Sequence, residues 1–160
     1  MTEALLDQGT LQTAFGCFPS GVTALCAELE GTPVGMAVSS FTSVSLDPPL
    51  ISVSIQDTSR TWVDLRRASH IGVSVLADDH GDYCRKLSLK EGDRFEGVPW
   101  AASTTGAVYI EGAAATFECT LHEEIRAGDH SIALLEVQAL TASPDSTPLV
   151  FHSSKFKQLA

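Results

Sequence analysis

Residues 22–55 read VTALCAELEGTPVGMAVSSFTSVSLDPPLISVSI. Two runs of β-branched and small residues, 22–29 and 34–44, flank Glu30, Gly31, Thr32 and Pro33, and a turn-forming tetrad between two such runs predicts a β-hairpin. Asp47, Pro48 and Pro49 then break the chain, and Leu50, Ile51, Val53 and Ile55 form a further strand, part apolar run and part alternation. Outward from this stretch the same texture recurs. Residues 70–77 (HIGVSVLA) alternate as a strand, and further strands are expected over 108–110, 113–125, 131–140 and 149–152, with a turn over 144–148.

Helices are few and short. Apolar residues at 5, 6, 11, 14, 15 and 18 have roughly helical spacing, stopped by Pro19 and Gly21, which predicts an N-terminal helix. Thr58 or Ser59 caps a helix to about Ala68 with Trp62 and Leu65 on one face, and Asp78 or Asp79 caps another through Leu87. Residues 88–107 read mostly as loop. Many strands, short turns and no βαβ alternation favour a mostly antiparallel sheet, closed or half closed into a barrel. No internal repeat or linker interrupts the 160 residues, so a single domain over 1–160 is expected.

The chain is 44% hydrophobic and 19% charged with a mean hydropathy of +0.11, a globular composition that needs no disulfide or metal to hold it. Twenty acidic residues face ten basic ones, for a net charge of −10. That balance argues against nucleic-acid and anionic-membrane partners, whose phosphates are bound by Lys and Arg. There is no run of 18 apolar residues, and an acidic N-terminus is unlike a secretory signal, so a cytoplasmic protein is expected. Cys17, Cys26, Cys84 and Cys119 form no CxxC pair and read as buried or idle thiols.

The usual catalytic patterns are missing: no phosphate-binding P-loop, no GxSxG elbow, no dinucleotide fingerprint, and five histidines without metal-ligand spacing. Three other features stand out. Gly35 to Pro49 carries Ser39, Ser40, Thr42, Ser43 and Ser45, five hydroxyls in seven residues. They could bond the polar edge and side chain of a planar cofactor, with Gly35 letting a flat ring approach the backbone; on spacing alone the pattern favours an edge strand with a polar outer face. Secondly, the first 59 residues hold no Lys or Arg, whereas Arg60 to Arg94 supplies seven of the ten basic residues. Ser59, Arg60 and Thr61, at a helix start, suit a phosphate, while Arg66 and Arg67 fit a solvated face. Thirdly, Gly128, Asp129 and His130 lie between two expected strands, where a turn would present His130 at a sheet rim, as a ligand donor or as an ordinary surface histidine.

Together, in this order, these features resemble the flavin reductase-like family, the small NAD(P)H:flavin oxidoreductases that feed reduced flavin to two-component monooxygenases. Residues 18–23 (FPSGVT) look like the family's opening FPTGV, 35–49 like its flavin segment, Asp93, Arg94 and Phe95 like its DRF, and 128–130 like its GDH. The resemblance implies a homodimeric, antiparallel, Greek-key-like split β-barrel with a few short peripheral helices, holding FMN or FAD and using NADH or NADPH. Carried over by position, Pro33, Val34, Gly35, Met36, Ala37, Ser39 and Ser40 would face the isoalloxazine. Ser54, Ile55 and Gln56 would approach the ribityl chain, Ser59, Arg60 and Thr61 the phosphate, and Arg85 and Lys86 the phosphate or adenylate end. His130 would serve the nicotinamide side as the catalytic residue, and His152, Lys155 and Phe156 would close over the dinucleotide.

Two positions depart from the family pattern: Leu87 where Phe is frequent, and Leu134 and Leu135 where a glycine is frequent. The first bears on flavin choice, the second on nicotinamide handling. Two rival readings follow from the residues: a split-barrel flavin, haem or deazaflavin binder that does not oxidise NAD(P)H, and a cofactor-free dimeric binding domain whose serine-rich strand lines an interface.

Overall fold

In a computed structural model that describes residues 6–159, the chain opens with helix α1 (Gln8–Gly16) and strands β1 (Ser20–Gly21), β2 (Thr23–Leu29), β3 (Thr32–Val38), β4 (Thr42–Leu46) and β5 (Pro49–Gln56). Helix α2 (Arg60–Leu65), β6 (Ile71–Val75) and α3 (Gly81–Leu87) follow. The second half is all strand: β7 (Trp100–Ala102), β8 (Val108–Ile110), β9 (Ala115–Ala127), β10 (His130–Ala142), β11 (Val150–His152) and β12 (Lys155–Lys157). The mostly β architecture expected from the sequence is present, and each ladder among the described residues is antiparallel.

The hairpin of β2 and β3 turns where the sequence places it. Glu30 and Gly31 both take positive φ (53° and 79°), the left-handed pair that a tight two-residue hairpin turn demands. Thr32 and Pro33, expected in the turn, begin β3 instead. The main sheet runs β3-β2-β6-β9-β10-β5-β4. Side chains of β2 alternate between its faces, as a strand must. Leu25 and Ala27 join Val53, Ile55, Trp62, Leu65, Val73 and Leu135 in one core. Ala24 and Cys26 join Leu76, Leu87, Val108, Ile110 and Leu149 in the other.

The second core depends on a close approach of β8 to β6. Gly72 lies so near the backbone of Val108 that any Cβ there would collide with it. Ser74, fully buried, accepts the Ile110 N–H through its hydroxyl (3.0 Å) and pins the same strand.

The two edges of the sheet, β3 and β4, are consecutive in the chain. Residues 39–41 cross between them, and among the described residues no ladder joins β3 to β4. The Ser40 hydroxyl bridges the gap: it donates to the Ser54 carbonyl (3.1 Å) and accepts the Ser54 N–H (2.8 Å). A side chain thus satisfies the two β5 groups that β4 leaves open beyond Thr42, its last partner for β5 at Ser52.

Several boundaries differ from expectation. The single strand expected over 34–44 is broken at 39–41 by this crossing. Helix α1 spans Gln8–Gly16, with Leu5 of the expected helix outside the described residues; Asp7 caps it by accepting the Thr10 N–H (2.7 Å), and none of its residues is buried. Helix α2 stops at Leu65, short of Ala68. Helix α3 begins after His80 with no side-chain cap, because the buried His80 ring instead accepts the Ala77 N–H at Nδ1 (3.0 Å). Short strands β1, β7 and β12 were not foreseen; each is two or three residues long.

Candidate active site

The crossing at 39–41 opens a cleft of about 710 Å³. Its walls come from the end of β3 with Ser39 and Ser40, from the end of β5 through α2, from the end of α3, and from the loop that carries Lys90 and Arg94; His130 stands on the remaining side.

Each wall is held by identifiable contacts. Ser59 caps α2 by accepting the Trp62 N–H (3.2 Å). Trp62 is buried and donates its indole N–H to Glu124 on β9 (2.6 Å), whose other oxygen pairs with Arg66 (2.6 Å). Glu124 therefore fastens α2 to the long β9–β10 hairpin. Opposite, the tripeptide 93–95 wraps Gly35. Asp93 accepts the Phe95 N–H (2.9 Å), and Arg94 donates to the Gly35 carbonyl (3.0 Å), to Thr61 Oγ1 (3.0 Å) and to the Leu89 carbonyl (2.7 Å). A Cβ on Gly35 would meet Cys26 Sγ at 2.6 Å and Phe95 Cζ at 2.8 Å, so only glycine lets Phe95 pack here. Desolvation disfavours the charged form of Arg94 and lowers its pKa.

The histidine side is organised by the β9–β10 turn. Gly128 takes φ 65°, and the Asp129 carbonyl faces the end of β5, where it accepts the Asp57 N–H (3.0 Å). Asp57 also accepts from Ser131 Oγ (3.0 Å) and pairs with Arg126 (3.4 Å). His130, opposite Gln56 in the ladder, shares a 2.7 Å hydrogen bond between Nδ1 and Asp129 Oδ1. That bond, and the charge of a protonated His130, hold the Asp129 carboxyl below the usual carboxylate range.

A second groove of about 370 Å³ adjoins the cleft and shares Ala37, Val38, Ser39 and Ser88 with it. Phe151 and Phe156 line it, with ring centroids 5.7 Å apart, and the Arg85 guanidinium lies 4.8 Å from the centre of the Phe156 ring. Among the described residues no group of three His, Cys, Asp or Glu side chains is arranged to hold a metal ion.

Of the residues singled out in the sequence, Met36, Ala37, Ser39, Ser40, Ser54, Ile55, Gln56, Ser59, Arg60, Thr61 and His130 line the cleft. Arg85 and Phe156 line the second groove. Pro33, Val34, Gly35, Lys86, His152 and Lys155 line neither. Pro33 sits opposite Glu28 in the hairpin, Val34 packs on the core, Gly35 lies behind the wall under Arg94, Lys86 pairs with Glu96 (3.9 Å), and His152 faces Lys155 across β11 and β12. The sequence reading missed Val38, Thr58 and Ser88 in the cleft; it took Lys90 and Arg94 only as members of the basic cluster and Leu87 only as a departure bearing on flavin choice. Arg94 had a signal in the DRF tripeptide; Val38 closes β3, and the others are single residues in helix ends and loops.

The sequence signature of the flavin reductase like domain matches residues 15–160. The chain belongs to the flavin reductase-like family. Among relatives of this flavin reductase, an actinorhodin polyketide dimerase of Streptomyces coelicolor is 37% identical over 154 residues, covering 96% of this chain and 87% of the relative. The reductase subunit HsaB of a flavin-dependent monooxygenase from Rhodococcus jostii is 32% identical over 151 residues, covering 94% and 77%. Among solved structures, the NADH:FAD oxidoreductase of Streptomyces globisporus C-1027, in complex with NAD and FAD fragments, superposes with a TM-score of 0.92 at 33% identity over 99% of this chain and 98% of that one.

The cleft of this flavin reductase suits a flavin by its own chemistry. Met36 offers apolar surface for a ring, with Ile55 and Leu87 buried behind the wall, and the Ser39 and Thr58 hydroxyls make no hydrogen bond among the described residues and remain free for a ligand. Arg60, Lys90 and Arg94 supply positive charge in a chain whose net charge is −10.

Proposed function

We infer that the chain works as the reductase component of a two-component system. It is an NAD(P)H:flavin oxidoreductase that reduces FMN or FAD and supplies the reduced flavin to a partner monooxygenase. The observation that carries this reading is the single cleft into which the serine-rich crossing, the end of β5, the start of α2 and His130 converge. Bound flavin supplies N5 as the acceptor of a hydride from the nicotinamide C4. The chain's own part is binding and orientation, since holding two reactants in register removes most of the entropic barrier to their encounter.

In this reading Met36, Ala37, Ser39 and Ser40 face the isoalloxazine, Ser40 chiefly through its backbone because its hydroxyl is engaged with Ser54. Pro33, Val34 and Gly35 support that wall from behind. Ser54, Ile55 and Gln56 follow the ribityl chain, and Ser59, Arg60 and Thr61 lie towards the phosphate. His130, steadied by Asp129, serves the nicotinamide. Arg85 and Phe156 in the adjoining groove take the adenylate end of a dinucleotide, with Lys86, His152 and Lys155 around it. The chain acts as one domain over 1–160 and as a homodimer; large exposed apolar side chains, Phe15 at 72%, Phe18 at 79% and Leu46 at 96%, support burial against a second copy. Among the described residues no helix is long and apolar enough to cross a membrane, and we place the protein in the cytoplasm.

The direct test is aerobic oxidation of NADH and NADPH, followed by nicotinamide absorbance, with FMN, FAD or no added flavin. Flavin-dependent turnover is expected. A flavin-induced rise in melting temperature without turnover would point instead to a flavin binder that does not oxidise NAD(P)H, and neither signal would sink the flavin reading.

A further inference from the structure

Ten Lys and Arg side chains share this chain with twenty carboxylates. Arg66, Arg67, Arg85, Lys86 and Arg126 each have a carboxylate within ion-pair distance. Among the described residues, Arg60, Lys90 and Arg94 have none, and all three line the cleft; Lys155 and Lys157, near the C-terminus, are the remaining unpaired ones. In so acidic a chain, three cations without a carboxylate partner converge on one cleft.

Arg94 is the most constrained of the three. Its Nε–H goes to the Leu89 carbonyl and its Nη1 hydrogens to the Gly35 carbonyl and Thr61 Oγ1. All three acceptors are neutral, so the charge itself is uncompensated although the group is partly desolvated. Holding a cation out of water without a counter-charge is unfavourable, and an anionic ligand relieves it. Nη2 has no acceptor among the described residues and is not sealed from solvent, since no buried side-chain nitrogen there lacks a partner. The fork is therefore fixed by three bonds with its last two donors unspent, the arrangement that favours a phosphate oxygen.

We propose that Arg94 is a ligand-binding residue whose Nη2 takes a phosphate group of the bound nucleotide, while Nε and Nη1 hold the β3 and α2 walls at the spacing that admits it. The inference rests on the reading of the cleft as a flavin site and deepens it, because the three cations make the phosphate, more than the ring, the group that is selected. The same chemistry could come from the flavin phosphate or from the pyrophosphate of the nicotinamide dinucleotide, and the test separates them.

FMN and riboflavin are titrated by quenching of flavin fluorescence into the full chain, into R94Q and into R94K, and the KM for NADH is measured at saturating FMN. Circular dichroism and melting establish that each variant is folded. R94Q is expected to lose about 10- to 100-fold in FMN affinity, as for a lost hydrogen bond to a charged group, with riboflavin changed less than about twofold. R94K keeps the charge but not the fork, is expected to fall between, and carries the test if R94Q does not fold. A loss confined to the KM for NADH would sustain the anion site and assign it to the dinucleotide. Equal losses for FMN and riboflavin with an unchanged KM for NADH, or no loss at all, would overturn the inference and leave Arg94 a wall-positioning residue. Wild-type protein that binds neither FMN nor FAD would overturn it together with the proposed function, whereas wild-type binding with equal variant losses overturns the inference alone.

Discussion

Replacing Ser40 by alanine removes one oxygen that serves two backbone groups. In the folded chain that oxygen accepts the Ser54 N–H at 2.8 Å and donates to the Ser54 carbonyl at 3.1 Å. Each such bond is worth about 1 kcal/mol net, and both backbone groups are only partly buried, so water replaces part of the loss. The expected destabilisation is about 1 to 2 kcal/mol. For a chain of this size that is a fall in melting temperature of roughly 2–8 °C. Ser39→Ala is the internal comparison, because Ser39 is exposed and its hydroxyl has no partner among the described residues; it should melt within about 0.5 kcal/mol of wild type, as surface substitutions usually do. The assay is thermal or urea denaturation of both variants without ligand, followed by FMN titration. The two substitutions should separate cleanly: S40A loses stability first and affinity in consequence, S39A loses affinity alone. Identical melting curves for S40A and S39A would refute the idea that Ser40 closes the gap between the sheet edges.

Three further outcomes follow from geometry already described. Gly72→Ala forces a methyl group into the Val108 backbone, which cannot yield as a flexible side chain would, so a loss of about 1–3 kcal/mol or more is expected by denaturation; wild-type stability would mean that β8 can move away freely. Burial pushes the thiols of Cys26 and Cys119 up to about 12 and also raises that of Cys84, while Cys17 is exposed; a thiol reagent at pH 8 should modify one cysteine quickly in native protein and all four after unfolding. Asp129 has its pKa depressed in the folded state by His130, so its contribution is present above the ordinary carboxylate value near pH 4 and is lost as the pH falls through the lower folded value. D129N should therefore flatten the acid side of the stability curve below about pH 4, and an NMR titration should find the wild-type carboxyl below its model-peptide midpoint.

Most of the longer strands could be placed along the chain, but the feature that makes the site could not. A run of β-branched and small residues marked β2, whose two faces are both buried, and alternation marked β6 and part of β5. The run 34–44 reads as one strand because serine and threonine sit equally well in a strand and in a crossing; what breaks it at 39–41 is tertiary, the need to pass from one sheet edge to the other. Helix α1 was legible as a helix, yet its apolar residues find no core in this chain, so its burial was not. In the site, the hydroxyl segment, Ser59 to Thr61 and His130 carried local signals, Ser54 to Gln56 came from the family resemblance, and the fold brings them together. Lys90 and Arg94 lie in a loop without periodicity, and Leu87 and Ser88 at a helix end. Their place in the cleft depends on where that loop lands, which periodicity does not encode; only Arg94 had a signal, in the DRF tripeptide.

The wall common to the cleft and the groove has a consequence for enzymology. Ala37, Val38, Ser39 and Ser88 present surface to both cavities. A substitution there is not the private property of one ligand, because the same side chains form the wall that the occupant of each cavity meets. Steady-state constants for two substrates should consequently drift together in variants at residues 37–39. A double-mutant cycle pairing Val38 with Phe156 in the groove would then report a non-zero interaction energy, where two isolated cavities would give simple additivity.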